Sequence, residues 1–270
     1  MLPCVCWLQP LLVFLSSVWR AQGEHCPASC LCPDAHTVDC SGRGLTRLPD
    51  EIPLDVRRLL LSDNWIPRIP SDFLVLYSDL VYLDLRNNSL SHIEPGTLST
   101  SSRLVFLDLG SNNLTEIPSG TFGQSRSLIK LRLSNNPFLS MVNEDAFMGL
   151  TSLRELELER NALSGLQVGA LSQLPSLRVV RLEGNPWVCN CNFANLFAWL
   201  EENSHKLPNA PHQLPQKKKM ADSRTFWSQP LHSSLPPGLH QDGYLKAPEE
   251  QFWDKKEKKA AAATVLWIQQ

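Results

Sequence analysis

The chain has 270 residues, 43% of them hydrophobic and 19% charged, with a formal net charge of −2 at pH 7. Setting 25 Lys and Arg against 27 Asp and Glu leaves no bulk field of either sign, which argues against nucleic acid or another polyanion as partner. In chain order, residues 1–23 hold the apolar run Leu11-Leu12-Val13-Phe14-Leu15 and close on a cleavage-like Ala21-Gln22-Gly23, the form of a secretory signal peptide. Gln9, Pro10 and the shortness of the run make poor material for a membrane span of about 20 apolar residues. Cys4 and Cys6 leave with this segment.

Residues 24–55 form a cysteine-rich unit, with Cys26, Cys30, Cys32 and Cys40 spaced C-x3-C-x-C-x7-C. Behind a secretory signal, four such cysteines read as two disulfides stapling a small cap whose own core would be inadequate. The spacing is not that of a usual zinc site, even with His25 and His36 close by. The order of pairing among the four stays open at this point.

From residue 56 to 184 the pattern L-x-x-L-x-L-x-x-N-x-L recurs, starting at Val56, Leu80, Leu104, Leu128, Leu153 and Leu177, with spacings of 24, 24, 24, 25 and 24 residues. This is the leucine-rich repeat, in which each unit supplies one short strand and a return segment and cannot bury its apolar face alone. The first apolar slots, such as Leu80, Leu83 and Leu85, stack on their counterparts in neighbouring units. The Asn slot reads Asn64, Asn88, Asn112, Asn136, Asn161 and Asn185, a ladder of short amides able to satisfy backbone groups where each strand turns away. A second apolar series, Phe73, Leu98, Phe122, Phe147 and Leu171, closes the core from the convex side. The sequence therefore predicts an α/β-type solenoid: a curved stack with short parallel strands on the concave face, an irregular or 3-10 convex side, and a cap at each end.

Strand residues alternate faces, so the third and fifth residues of each unit point to the concave surface. They are Arg58 and Leu60, Tyr82 and Asp84, Phe106 and Asp108, Lys130 and Arg132, Glu155 and Glu157, then Val179 and Arg181. Tyr82 and Phe106 beside Asp84 and Asp108, followed by Lys130 and Arg132, give an aromatic and charged composition suited to protein recognition. The acidic trio Glu155, Glu157 and Glu159 reads as a solvated face rather than a cation site. Asn87 and Asn113 open N-x-S/T sequons beside the ladder positions and are candidate glycan acceptors. No metal-ligand pair, phosphate-cradling loop or nucleophile elbow accompanies the histidines, so a non-enzymatic protein without metal or cofactor is expected.

Residues 185–208 begin a second cap with Asn185-Pro186-Trp187-Val188-Cys189-Asn190-Cys191, continued by Leu196, Phe197, Trp199 and Leu200 on a short helix. A cap of this kind needs two further cysteines, and none follows Cys191, while Cys189 and Cys191 lie too close in sequence to bond readily to each other. The sequence therefore predicts an incomplete cap with Cys189 and Cys191 unpaired. From 209 to 270 the chain carries six prolines, the run Lys217-Lys218-Lys219 and the cluster Lys255 to Lys259, without apolar period, the profile of a disordered tail. Its longest apolar run, Ala260 to Ile268, is shorter than the roughly 20 residues a bilayer crossing needs.

Cys26-Pro-Ala-Ser-Cys-Leu-Cys-Pro-Asp-Ala-His-Thr-Val-Asp-Cys40, Asp79-Leu-Val-Tyr-Leu-Asp-Leu-Arg-Asn-Asn-Ser-Leu90 and Asn185-Pro-Trp-Val-Cys-Asn-Cys191 carry a closer resemblance. Over about residues 24–208 the chain resembles the leucine-rich-repeat auxiliary gamma subunits of large-conductance calcium- and voltage-activated potassium channels. The resemblance implies an extracellular repeat domain at the cell membrane, association with the channel's pore-forming subunit, and a shift of channel opening toward more negative voltage. It also implies a membrane span and a cytosolic basic cluster after the second cap, and the wording after Pro208 departs from both. The expectation is a channel regulator written without its span, secreted or held in the endoplasmic reticulum. The alternative is a secreted binding or adhesion module whose concave face takes an extracellular protein.

Overall fold

A computed structural model describes residues 26–71, 73–98, 101–123, 125–188 and 191–208. The expectations for the signal segment, Cys4, Cys6, His25, Cys189, the Cys191 side chain and the tail from 209 lie outside the described residues.

The L-x-x-L-x-L runs are too short for helices and place apolar residues on alternate positions, so each forms a three-residue strand with its middle residue inward. The strands are β1 (Leu31–Asp34), β2 (Thr37–Asp39), β3 (Arg58–Leu60), β4 (Tyr82–Asp84), β5 (Phe106–Asp108), β7 (Lys130–Arg132), β9 (Glu155–Glu157) and β10 (Val179–Arg181), joined in that order into one eight-stranded sheet. β1 and β2 are an antiparallel hairpin; from β2 onward every pairing is parallel and in strict register, as in Arg58 against Tyr82 against Phe106 against Lys130. Strict register stacks like on like, so Val38, Leu59, Leu83, Leu107, Leu131, Leu156 and Val180 form one buried column. Each such side chain contributes about 1.5–3 kcal/mol through burial, and only the neighbouring coils supply that burial.

The return segments close the other side of the core. Phe73, Leu98, Phe122, Phe147 and Leu171 are all buried, with the Phe122 and Phe147 rings 5.9 Å apart. The convex side is more regular than the sequence predicts, with the short helices α1 (Phe73–Leu76) and α2 (Gly169–Ser172) and a small parallel sheet of β6 (Glu116–Ile117) and β8 (Met141–Val142). In the first coil the position that keeps the six-residue spacing to Leu80 is Leu74, which is fully buried, so Phe73 lies one residue before the series, and its ring packs 4.8 Å from Tyr77 along α1.

Asparagine amides stitch one coil to the next. Asn112 is fully buried; its Nδ2 donates to the carbonyls of Leu109, Gly110 and, in the preceding coil, Leu85, and its Oδ1 accepts from Leu90 N–H. Asn64 ties the first coil to the cap in the same way, donating to Cys40 O and accepting from Arg43 and Leu45 N–H. The residue before each ladder position is left-handed, with φ of 59° at Asp63, 54° at Asn87, 54° at Ser111, 58° at Asn135, 55° at Arg160 and 71° at Gly184. Short polar side chains and glycine tolerate this region, and Arg160 is the one long exception.

Both ends are covered. Disulfides join Cys26 to Cys32 and Cys30 to Cys40, and Cys40 is fully buried against the first coil. At the other end α3 (Cys191–Glu202) lays Phe193, Leu196, Phe197 and Leu200 onto the last coil, while Trp187 donates its Nε1–H to Leu182 O at 3.1 Å. Among the described residues no helix is long and apolar enough to cross a membrane.

Candidate functional site: the concave strand face

Two rows of side chains run across the sheet. In the first, Arg58, Tyr82 and Phe106 form a stack: the two rings are parallel within 3° at 4.2 Å, and the Arg58 guanidinium lies 4.5 Å from the centre of the Tyr82 ring. Arg132, from the second row, closes the far side at 5.4 Å from the Phe106 ring. Cation and ring attract because the ring face carries negative charge density, so the column is cation, ring, ring, cation, and each ring face is already occupied.

An ion-pair network joins the second row to the far end of the first, Lys130 and Glu155. Arg132 reaches Asp108 at 3.2 Å and Glu157 at 3.0 Å; Lys130 reaches Glu155 and Glu157 at 2.9 Å each; Arg181 stands 3.8 Å from Glu157. Asp108 also accepts the backbone N–H of Gly110. Burial by itself raises the Glu157 carboxyl, but the Lys130 hydrogen bond and the Arg132, Lys130 and Arg181 charges outweigh it and hold it below the usual carboxylate range. Arg132 is likewise opposed by burial, and Glu157 with Asp108 fixes its charge more firmly still. Asp84 differs: burial, with the Asp108 charge beside it, pushes its carboxyl up, against the backbone N–H and the charge of Arg86.

These contacts revise the sequence reading in two places. The acidic trio is not a solvated face, because Glu157 is only 7% exposed and is shared by three cations, while Glu159 Oε2 is buried with no hydrogen-bond partner among the described residues. Asp108 is 2% exposed and serves Arg132 and the Gly110 turn rather than an incoming partner. Tyr82, Phe106, Asp84, Lys130 and Arg132 remain partly accessible on the face. Cross-strand pairs become visible only once register is known, since Lys130 and Glu157 are far apart in sequence.

Asn87 and Asn113 are both exposed at the C-terminal ends of the strands. The Asn87 amide donates to Asp63 Oδ1 at 2.7 Å, and one amide hydrogen remains for that bond when the nitrogen carries a sugar.

The family described as leucine rich repeat matches residues 55–114, 102–163 and 126–186, and the leucine rich repeat N-terminal domain matches residues 25–53. The chain is similar to leucine-rich repeat-containing protein 38 of Mus musculus, 52% identical over 202 residues, covering 75% of this chain and 67% of that protein. It is also similar to leucine-rich repeat-containing protein 52 of Mus musculus, 48% identical over 183 residues, covering 68% of this chain and 58% of that protein. Among solved structures, a chain of the crystal structure of the TLR13-ssRNA13 complex superposes with a TM-score of 0.53 at 29% identity, covering 58% of this chain and 23% of that one.

Proposed function

Because the chain belongs to the leucine-rich-repeat family, alongside leucine-rich repeat-containing proteins 38 and 52, we propose that it is a non-enzymatic, partner-binding subunit of a large-conductance calcium-activated potassium channel. Its role is to associate with the pore-forming subunit and move channel opening toward more negative voltage. The observation that carries this reading is the 52% identity to leucine-rich repeat-containing protein 38 over 202 residues, in a chain whose wording between the repeat positions resembles the channel gamma subunits. The strand face supports the binding half, because its aromatic column and ion pairs are already ordered and lose little freedom when a partner docks. The two cap disulfides support folding in an oxidising compartment, where an extracellular repeat domain would be made.

Co-expression with the pore-forming subunit tests the assembly step. We expect the chain to co-purify with it in detergent; a chain that folds with both cap disulfides formed and still does not co-purify contradicts the reading.

A further inference from the structure

The residues just before each strand form a row that lies outside both rows of the concave face. Its members are adjacent through backbone hydrogen bonds: Val81 N–H to Arg57 O, Val105 to Val81, Ile129 to Val105, Arg154 to Ile129 and Arg178 to Arg154. Read across the sheet, the row is Arg, Val, Val, Ile, Arg, Arg. Arg57, Val81, Arg154 and Arg178 are exposed, Val81 at 36%, and Val105 and Ile129 are half-buried. None of the three arginines has a carboxylate partner among the described residues, whereas Lys130, Arg132 and Arg181 on the concave face are all paired.

The opposite rim, at the C-terminal ends of the strands, has the other sign. Asp63, Glu159 and Glu183 lie there with Asp84 at the strand end next to them, against Arg160 and an Arg86 engaged by Asp63 at 3.4 Å, so the balance is acidic, and the Asn87 sequon lies beside them. The solenoid is thus polar across its width, although its overall charge is close to neutral. An acidic partner is attracted to the leading rim and repelled from the trailing one.

We propose that the leading rim of the sheet, Arg57-Val81-Val105-Ile129-Arg154-Arg178, binds an extended acidic protein segment with an aliphatic centre. Adjacent parallel strands are about 4.8 Å apart, so three aliphatic side chains offer a strip about 10 Å long, bracketed by cations about 19–24 Å apart. An extended segment of about six to seven residues spans that gap. Its aliphatic residues meet Val81, Val105 and Ile129, and carboxylates at its two ends meet Arg57 on one side and Arg154 with Arg178 on the other. Arginine suits this role because its forked donors take a carboxylate in two bonds. The inference rests on the proposed role as a partner-binding subunit, and names the chemistry that subunit would hold.

The probe is a fluorescent twelve-residue peptide with glutamates at both ends around a leucine-valine-leucine centre, titrated against the full chain by anisotropy. Saturable binding is expected, weakened at least tenfold by the double variant R154E/R178E, whose side chains are exposed and make no ion pair. A lysine-ended version of the peptide should bind the double variant more tightly than it binds the unaltered chain. Unchanged affinity on charge reversal, absence of saturable binding, or equal binding of a peptide with an alanine centre each overturns the proposal, the last by showing a response to polyanions in general, as would equal competition by heparin. Co-purification with the pore-forming subunit, run on the same preparations, separates this from the functional reading. A chain that co-purifies without taking the peptide loses only the rim assignment, and one that takes the peptide without co-purifying loses only the channel.

Discussion

Asn112 shows how much structural information one residue type holds when it recurs. Its amide makes four hydrogen bonds in a buried site; replacing it leaves the Leu90 N–H without its acceptor, while the Leu85, Gly110 and Leu109 carbonyls keep the Asn88 amide, the Asn87 backbone N–H and the Asn136 amide as donors. Asn112→Ala should cost about 3 kcal/mol in denaturant unfolding, while Asn113→Ala, next to it and exposed, should stay within about 0.5 kcal/mol. The ladder was legible in the sequence because the same letter fills every slot. The left-handed residue before it was not, because Asp63, Asn87, Ser111, Asn135, Arg160 and Gly184 share a backbone conformation but no single residue type. Charge at single residues was less legible still, since Glu157 and Glu159 are two positions apart and behave oppositely. The Glu157 carboxyl is held low, so its contribution to stability is present above the ordinary carboxylate range and is lost as pH falls through its lowered value. Burial, with the Glu157 and Glu183 charges nearby, pushes Glu159 up, so its ionisation in the folded state opposes stability once pH rises through that raised value. Glu159→Gln should therefore raise Tm by about 1–2 °C at pH 7, and scans repeated below pH 4, where both states carry the acid form, should show no gain.

At the scale of elements, the strands were readable from apolar alternation, and the concave assignment of Tyr82, Phe106, Lys130 and Arg132 followed from it. Pairing across coils was not, because the distances that matter link residues about 24 positions apart through register. The return segments were the least readable, being set by local length and tight approach rather than by period. Gly149 is an example: φ is +91°, and a Cβ there would collide with the Gly123 carbonyl of the preceding coil. Gly149→Ala should destabilise by about 2–3 kcal/mol, whereas Gly165→Ala, with open space around the added methyl, should change thermal stability by less than about 0.5 kcal/mol. Equal effects at the two glycines would show that the close packing of adjacent return segments does not constrain the fold.

For the molecule as a whole, stacking fixes shape and the ends make the shape stable. The cap hairpin extends the sheet by two strands, and α3 covers the last apolar layer, so the exposed remainder is a rigid face with two differently charged rims. Periodicity revealed that such a face exists, but its polarity depends on residues outside the consensus slots, which become neighbours only in the stacked coil. The central claim is that this chain acts on a potassium channel, and the direct test is electrical. The voltage of half-activation is measured at fixed calcium in membrane patches from cells expressing the pore-forming subunit alone or together with this chain. The proposed function predicts a shift to more negative voltage on co-expression, and an unchanged half-activation voltage with the chain bound to the channel would contradict it.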